Sequence, residues 1–203
     1  LEFLLSRPEE SKISNHFDLI NEIRKNNEDL TNMLKRLVES YYYESGKKEL
    51  KKVPDNLNNL ILKVVDTLSD RAKSKNIDIS LELDEKLPYI FFDAKEIEKV
   101  VYNLLDNSIT YTQEGGAITV RSCIAGDHVS VYVKDNGPGI PETIKKRIFQ
   151  RYETTVTIER KIGTGLGLYL SYLIIKAHDG NIQVESKVNE GTTFYFTLPI
   201  KNS

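Results

Sequence analysis

The sequence predicts an α+β fold, in which a two-layer α/β sandwich is preceded by one long helix. Several short stretches alternate apolar and polar residues at period two, which is typical of half-buried strands. Other, longer stretches repeat their apolar residues every three to four positions, as amphipathic helices do. Residues 13–44, near the start, contain neither glycine nor proline and predict a single uninterrupted helix.

The long predicted helix carries an apolar stripe. Its spacings alternate between three and four, the seam of a coiled coil or a helical bundle, with Asn27 as the one polar seam position. The apolar members are Ile20, Ile23, Leu30, Leu34, Leu37 and Tyr41. A stripe of this length needs a partner, and the chain offers no second long helix. We therefore expect a homodimer through the 13–44 helix, which Gly46 should end.

After Pro54 the pattern changes to mixed helices and strands. Helices are predicted over 57–72, from Ala94 onward and over 166–177. Strands are predicted over 77–83, 117–124, 128–134, 182–186 and 193–198. Asp93, with Glu96 three residues later, resembles the capping box that begins many helices. Strands in one layer and helices in the other give the two-layer sandwich.

Composition excludes several classes of protein. With 203 residues, 39% of them hydrophobic, the chain can bury a substantial core. A net charge of −2 gives no basic footprint, so no nucleic-acid partner is expected. The single cysteine, Cys123, excludes an internal disulfide framework and a cysteine zinc site. No apolar run approaches the ~18 residues of a membrane span, so we expect no membrane segment here and a cytoplasmic location.

Two glycine-rich stretches are the strongest candidates for chemistry. Residues 135–140 follow a predicted strand, and residues 163–168 open a predicted helix. Glycines let the backbone approach a ligand closely, and the N–H groups at a helix N-terminus suit phosphate. The second stretch lies too late in the chain for a dinucleotide fingerprint, and it lacks the Gly-Lys-Ser/Thr of a P-loop.

Two amides stand out on the helix that begins near Ala94. Asn103 and Asn107 are four residues apart and therefore share a helical face. Amides on an otherwise apolar helix are costly unless something hydrogen-bonds or coordinates them. A magnesium ion takes oxygen ligands and draws most of its remaining contacts from water and phosphates, so an asparagine carbonyl beside a nucleotide suits it.

These elements, in this order, resemble the ATP-binding domain of sensor histidine kinases, within the gyrase/chaperone/histidine-kinase ATPase superfamily. Five motifs carry the resemblance: an N box at 103–107, glycine boxes at 135–140 and 163–168, an F box at 149–152 and a glycine-threonine box at 190–194. The fold implied is the Bergerat type, occupying residues 51–203. Residues 1–50 resemble part of the dimerisation hairpin, namely the end of its first helix and its second helix.

The resemblance implies a site for ATP and magnesium. The implied ATP-binding residues are Asn103, Asn107, Tyr111, Asp135, Gly137, Gly139, Ile140, Arg151, Arg160, Lys161, Gly163, Thr164, Gly165, Leu166, Gly167, Leu168 and Thr192. Asn107 would hold the metal, and Asp135 would accept a hydrogen bond from the exocyclic amine of adenine. Residues 153–162 would form a lid, with Arg151, Arg160 or Lys161 balancing the charge of the γ-phosphate.

The implied activity is that of a histidine protein kinase in two-component signalling. The γ-phosphoryl group would pass to a histidine and then to an aspartate of a response-regulator receiver domain. His16 lacks the expected sequence context, so we expect the phosphoacceptor upstream of Leu1, and a membrane anchor of the parent protein is left open. Gyrase-like hydrolases carry a glutamate base where this chain has Asn103, which disfavours hydrolysis.

The sequence also departs from the family pattern. Thr110 stands three residues after Asn107, where a lysine or arginine facing phosphate is usual, and Thr154 stands where arginine is frequent. Arg71 is interpreted as an ordinary surface charge. Because these cations are missing, a weak or inactive dimerising scaffold that binds a response regulator stays open as an alternative to the kinase. An ATP hydrolase of the same superfamily is the other alternative, disfavoured by Asn103.

Overall fold

The computed structural model describes residues 13–153 and 165–201, with side chains from residue 19 onward. Its helices are α1 (Ile13–Glu44), α2 (Leu57–Lys73), α3 (Ala94–Tyr111), α4 (Glu142–Lys145) and α5 (Gly167–Ala177). Its strands are β1 (Val53–Asp55), β2 (Asp78–Leu83), β3 (Ile90–Phe92), β4 (Ala117–Ala125), β5 (His128–Asp135), β6 (Asn181–Lys187) and β7 (Gly191–Pro199). Within these ranges no helix has both the length and the apolar character that a bilayer crossing requires.

The predicted two-layer α+β sandwich is confirmed. The five predicted strands form one sheet in the order β2-β4-β5-β7-β6, with β2 and β4 parallel and the other pairs antiparallel. The sequence did not predict the separate pair of β1 and β3, which are three residues each and too short to show a period. The register of β5 against β7 sets Asp135 opposite Thr192, which prepares the site described below.

Helix α3 is the centre of the helical layer, because it contacts α2 on one side and α5 on the other. Its apolar stripe is fully buried, and the residues that form it are Ile97, Val100, Val101, Leu104, Leu105 and Ile109. Alternate residues of β5, namely Val129, Val131 and Val133, close the core from the sheet side. Burying side chains of this size stabilises the fold by about 1.5–3 kcal/mol each.

The N-terminus of α3 is capped as predicted, although the second hydrogen bond of the capping box, from the Asp93 N–H to Glu96, is not formed. The Asp93 carboxylate accepts the backbone N–H groups of Lys95 and Glu96. Glu96 does not return to the Asp93 N–H, which donates instead to Nε2 of His178 at 3.0 Å. The Glu96 carboxylate is therefore available to residues outside its own helix.

Glu96 anchors α1 and the following linker to α3. Its carboxylate accepts hydrogen bonds from Tyr43 at 2.7 Å, Lys48 at 2.8 Å and Lys99 at 3.0 Å, and Lys99 also pairs with Glu39. Burial by itself would raise the pKa of Glu96, but these donors outweigh it and the pKa lies below its ordinary value. The long helix is thus fixed to the sandwich by a charged and largely buried junction.

The predicted seam of α1 faces solvent in the single chain. Ile20, Ile23, Leu30 and Leu34 are 59%, 45%, 56% and 53% exposed. Helix α1 contacts the sandwich at α5, and through Glu39 and Tyr43 at α3. Dimerisation through 13–44 stays a prediction, and so does the domain boundary at residues 50 and 51, which falls between α1 and β1.

His178 ends α5 and generates a prediction about pH. The imidazole is 2% exposed, its Nε2 accepts from Asp93, and its Nδ1 lies 2.8 Å from the carbonyl of Ile174. This arrangement requires the neutral ring with its proton on Nδ1. Burial lowers the pKa of His178 below its ordinary value.

As the pH falls, His178 binds a proton in the unfolded chain before it does so in the folded protein. The free energy of unfolding is therefore retained above about pH 6.5 and declines as the pH falls below it. The contribution is at most about 1.4 kcal/mol per pH unit. Urea unfolding at a series of pH values should show this slope of the free energy of unfolding against pH. His178→Gln should flatten it. Equal slopes in wild type and His178→Gln would contradict the assignment.

Candidate functional site

A buried carboxylate, Asp135, lies where β5 ends. It is 5% exposed, and its two oxygens accept from the backbone N–H of Gly137 at 2.9 Å and from the hydroxyl of Ser108 at 3.1 Å. Burial raises the pKa of Asp135, while hydrogen bonds from Gly137, Ser108 and the backbone of Thr192 oppose that rise. A carboxylate offers about four acceptor positions, so capacity remains for a ligand that donates.

The glycine loop after β5 packs tightly on the turn between β6 and β7. Gly139 has φ +71°, and a Cβ there would lie 2.1 Å from the carbonyl oxygen of Lys187. The N–H of Ile140 donates to the hydroxyl of Ser186 at 2.8 Å, and that hydroxyl lies 2.9 Å from the one of Thr192. The loop, Asp135 and Thr192 therefore form one connected polar floor.

Ser108 and Ser186 were missed in the sequence. Ser108 carried a usable signal, because it is a hydroxyl in the otherwise apolar stripe of α3 and is 1% exposed. A buried hydroxyl requires a partner, and here that partner is Asp135. Ser186 carried no such signal, since serine is unremarkable in a strand.

The two amides of α3 have different surroundings. Asn103 donates to Ser171 at 3.1 Å, and its Oδ1 would lie 2.4 Å from a Cβ placed on Gly167. It therefore joins α3 to the first turn of α5. Asn107 is half-buried, and among the described residues its side chain makes no hydrogen bond. Tyr111, one turn further along, is 38% exposed.

The residues just before α5 contact the end of the F box. The N–H of Tyr152 donates to the carbonyl of Gly165 at 3.0 Å, and Gly165 has φ +65°. A Cβ on Gly165 would lie 2.7 Å from Cα of Tyr152, so only glycine fits this approach. Leu166 is fully buried and Leu168 packs against the core. The predicted site residues Arg160, Lys161, Gly163 and Thr164 lie outside the described residues.

Arg151 is engaged by the long helix. Its guanidinium pairs with Glu44 and lies 5.3 Å from the ring centre of Tyr169, and Tyr169 also donates to Glu44. These contacts hold the end of α1 against α5. The role predicted for Arg151, balancing phosphate charge, stays a prediction.

The site thus has two ends along α3. At one end are Asp135, Ser108, Thr192 and the glycine loop, with polar groups able to hold the edge of a flat polar ligand. At the other is Asn103, which touches the glycine-rich N-terminus of α5, where free N–H groups favour anions. Asn107 lies on α3 between Asn103 and Ser108. The arrangement suits an elongated ligand with a base at one end and phosphates at the other.

Comparison with known proteins agrees with this geometry. The family described as histidine kinase-, DNA gyrase B- and HSP90-like ATPase matches residues 92–202. The "Adaptive-response sensory kinase SasA" of Synechocystis is 33% identical over 98% of this chain and 53% of its own length. The "Alginate biosynthesis sensor protein KinB" of Pseudomonas aeruginosa is 33% identical over 92% of this chain and 31% of its own. The chain thus spans about a third to half of these relatives.

Solved structures show the same fold. The catalytic domain of histidine kinase ThkA is 34% identical, with a TM-score of 0.65 over 75% of this chain and 97% of that domain. Full-length ShkA, described as a complex with AMPPNP, has a TM-score of 0.81 over 92% of this chain and 39% of its own, at 24% identity. The family match covers more than half of the chain and includes the whole of the site. The chain therefore belongs to the histidine kinase-, DNA gyrase B- and HSP90-like ATPase family, and within it to the histidine kinases.

Proposed function

We propose that this chain is the ATP-binding core of a sensor histidine kinase, which transfers the γ-phosphoryl group of ATP to a histidine upstream of this sequence and thence to a response-regulator aspartate. The observation that carries the proposal is the buried Asp135, held by Ser108 and Gly137 opposite Thr192. A buried carboxylate with remaining acceptor capacity beside a glycine loop suits a nucleobase that donates.

At this end of the site, Asp135 accepts from the exocyclic amine of adenine. Guanine carries a carbonyl at the corresponding position. That carbonyl and the Asp135 carboxylate are both hydrogen-bond acceptors, so they would repel each other. Gly137 and Gly139 allow the backbone to pass close to the base, because glycine has no side chain. A Cβ on Gly139 would also collide with Lys187, so only glycine keeps this loop in place. Thr192 supports the same hydrogen-bonded group through Ser186.

Toward the other end of the site, Asn107 would hold magnesium and the start of α5 would receive the phosphates. The fit rests on the half-buried amide of Asn107, which has no hydrogen-bond partner among the described residues, and on amide oxygen being a ligand that magnesium accepts. When bound, the ion neutralises charge on the phosphates. The N–H groups that begin α5 at Gly167 orient them.

The residues of the site favour transfer over hydrolysis. Asn103 occupies the position of a general base, but an amide does not accept a proton at working pH, and here it bonds to Ser171. Phosphoryl transfer depends chiefly on positioning and on charge compensation, both of which this site can supply. For the hydrolase alternative, the carboxylate next to Asn107 is that of Asp106, and it is engaged by Arg71.

The histidines described here are poor phosphoacceptors. His178 is 2% exposed and bonded at both nitrogens, and Nδ1 of His128 lies 2.5 Å from Asp127. The side chain of His16 lies outside the described part. These contacts support the proposal that the acceptor lies upstream, on a helix that pairs with α1.

The partners proposed are a second copy of the chain, joined through residues 13–44, and a receiver domain. The exposed stripe of Ile20, Ile23, Leu30 and Leu34 supports the first. The second is supported by a structure described as ThkA in complex with response regulator protein TrrA, which is 26% identical and has a TM-score of 0.75. The proposed location is the cytoplasm.

The proposed nucleotide contacts predict the outcome of a calorimetric titration with a non-hydrolysable ATP analogue. Asp135→Asn should weaken binding by about 10-fold or more, as expected for losing a hydrogen bond to a charged group, and should reduce discrimination against the GTP analogue. Asn107→Ala should abolish the gain in affinity that magnesium gives. Asp127→Asn and Asn59→Ala, both at exposed positions, serve as matched controls. Wild-type protein that fails to bind at millimolar analogue would refute the nucleotide site.

The proposed direction of transfer predicts where phosphate is retained. This chain incubated with γ-labelled ATP should retain no label, whereas a longer protein carrying the upstream helix should become labelled on histidine, an acid-labile linkage. Asn107→Ala in the longer protein should prevent labelling. Labelled phosphate on the short chain would place the acceptor within it and contradict the proposal.

A further inference from the structure

Arg71, near the end of α2, crosses onto α3 instead of extending into solvent. Its Nη2 donates to the hydroxyl of Thr110 at 2.8 Å, and its Nη1 pairs with the carboxylate of Asp106. The Thr110 hydroxyl donates its own proton to the carbonyl of Asp106 at 2.7 Å, so it can only accept from Arg71. This mutual constraint fixes the guanidinium over the outer face of α3. Arg71 is the surface charge that the sequence predicted, but its two partners on α3 were not predicted.

This guanidinium lies next to the proposed metal ligand. Asp106 precedes Asn107, and Thr110 follows it by three residues, so Thr110 is the neighbour of Asn107 on the next helical turn. Side chains three apart on a helix have Cβ atoms about 5–6 Å apart. A group bonded to Thr110 is therefore within reach of a ligand that touches Asn107.

The negative charge of Asp106 means that phosphate binding at this position needs a cation. Without Arg71, the Asp106 carboxylate would stand beside the proposed binding position of a triphosphate and repel it. With Arg71, that charge is neutralised, and a guanidinium with five donors keeps three N–H groups for other acceptors. Its side chain is 45% exposed, so these groups are accessible. Guanidinium is well suited to phosphate oxygens.

We propose that Arg71 binds the phosphates of the nucleotide, supplying from α2 the cationic N–H donors that Thr110 does not supply from α3. The inference rests on the proposed ATP-binding function. The family pattern has its cation on α3 itself, whereas here a neighbouring helix provides it across a helix–helix contact.

Lys75 makes this contact rigid. It lies one turn after Arg71 on the same side of the chain, and its Nζ donates to the carbonyls of Ile109, Thr110 and Thr112 at 2.6, 3.1 and 2.8 Å. It thereby satisfies the carbonyls at the C-terminal end of α3. A purely structural Arg71 would merely add to this attachment, and the experiment must separate that role from phosphate binding.

The separation comes from comparing two ligands that share the base and differ in phosphates. NMR titrations with adenosine and with the non-hydrolysable ATP analogue plus magnesium would be made on wild type, Arg71→Gln and Lys63→Gln. Lys63 is the matched control, an exposed cation of α2 that pairs with Glu98 on α3 at 2.7 Å. Arg71→Gln should weaken the analogue about 10-fold and leave adenosine within about 2-fold. Lys63→Gln should change neither.

Equal weakening of adenosine and the analogue by Arg71→Gln, or no change in either, would overturn the proposal. A wild-type protein that binds neither ligand would instead refute the proposed ATP-binding function, so the two failures are distinguishable. Thermal unfolding of each variant accounts for any loss of folded protein.

Two further variants test the charge itself. Thr110→Lys in the Arg71→Gln background should restore analogue binding, because it returns a cation to α3. Asp106→Asn in the same background should leave binding weak, since the phosphate contact is still missing. Full restoration by Asp106→Asn would show that Arg71 only neutralises Asp106 and would overturn the assignment.

Discussion

The buried Asp135 carboxylate is the constraint on which the site depends. Its hydrogen bonds join the end of β5, the glycine loop and α3, and its strand register brings in Thr192. An unpaired carboxylate at this depth would cost several kcal/mol, so each partner must be held in place. The tight contact of Gly139 with Lys187 and the hydroxyl pair of Ser186 and Thr192 serve that purpose. The groups that close the fold here are thus the ones to which the proposed function assigns ligand recognition.

Periodicity predicted most of the fold because the buried stripes of the helices and the alternation in the sheet strands are strong local patterns. The long helix, the three helices of the sandwich and the five strands of the main sheet all appear near their predicted bounds. The pair of β1 and β3 was missed, since three residues hold too little pattern and their pairing is set by distant residues. Glu96 was expected to close its own cap, but it binds Tyr43 and Lys48 instead, and such contacts leave no local trace.

The site was predicted in part. Glycine-rich stretches and a carboxylate at the end of a strand are visible in the sequence. The structure brings Asp135, Gly137 and Thr192 together. The environment of an exposed cation is not visible in this way. Arg71 and Lys75 differ little from other surface residues in sequence, yet both bind α3. Side chains that act across helices can be located only once the packing of the helices is known.

The attachment of α1 at Glu96 has a mechanical consequence. Glu96 lies on the same continuous helix as Asn107, eleven residues earlier, and α3 contains neither glycine nor proline. At 1.5 Å per residue, the two positions are about 16 Å apart along a straight rod. A rotation or shift of the long helix, delivered through Tyr43 and Lys48, therefore reaches the position of Asn107 with no hinge between them. Helix α3 thus connects the end of α1 rigidly to the proposed nucleotide site.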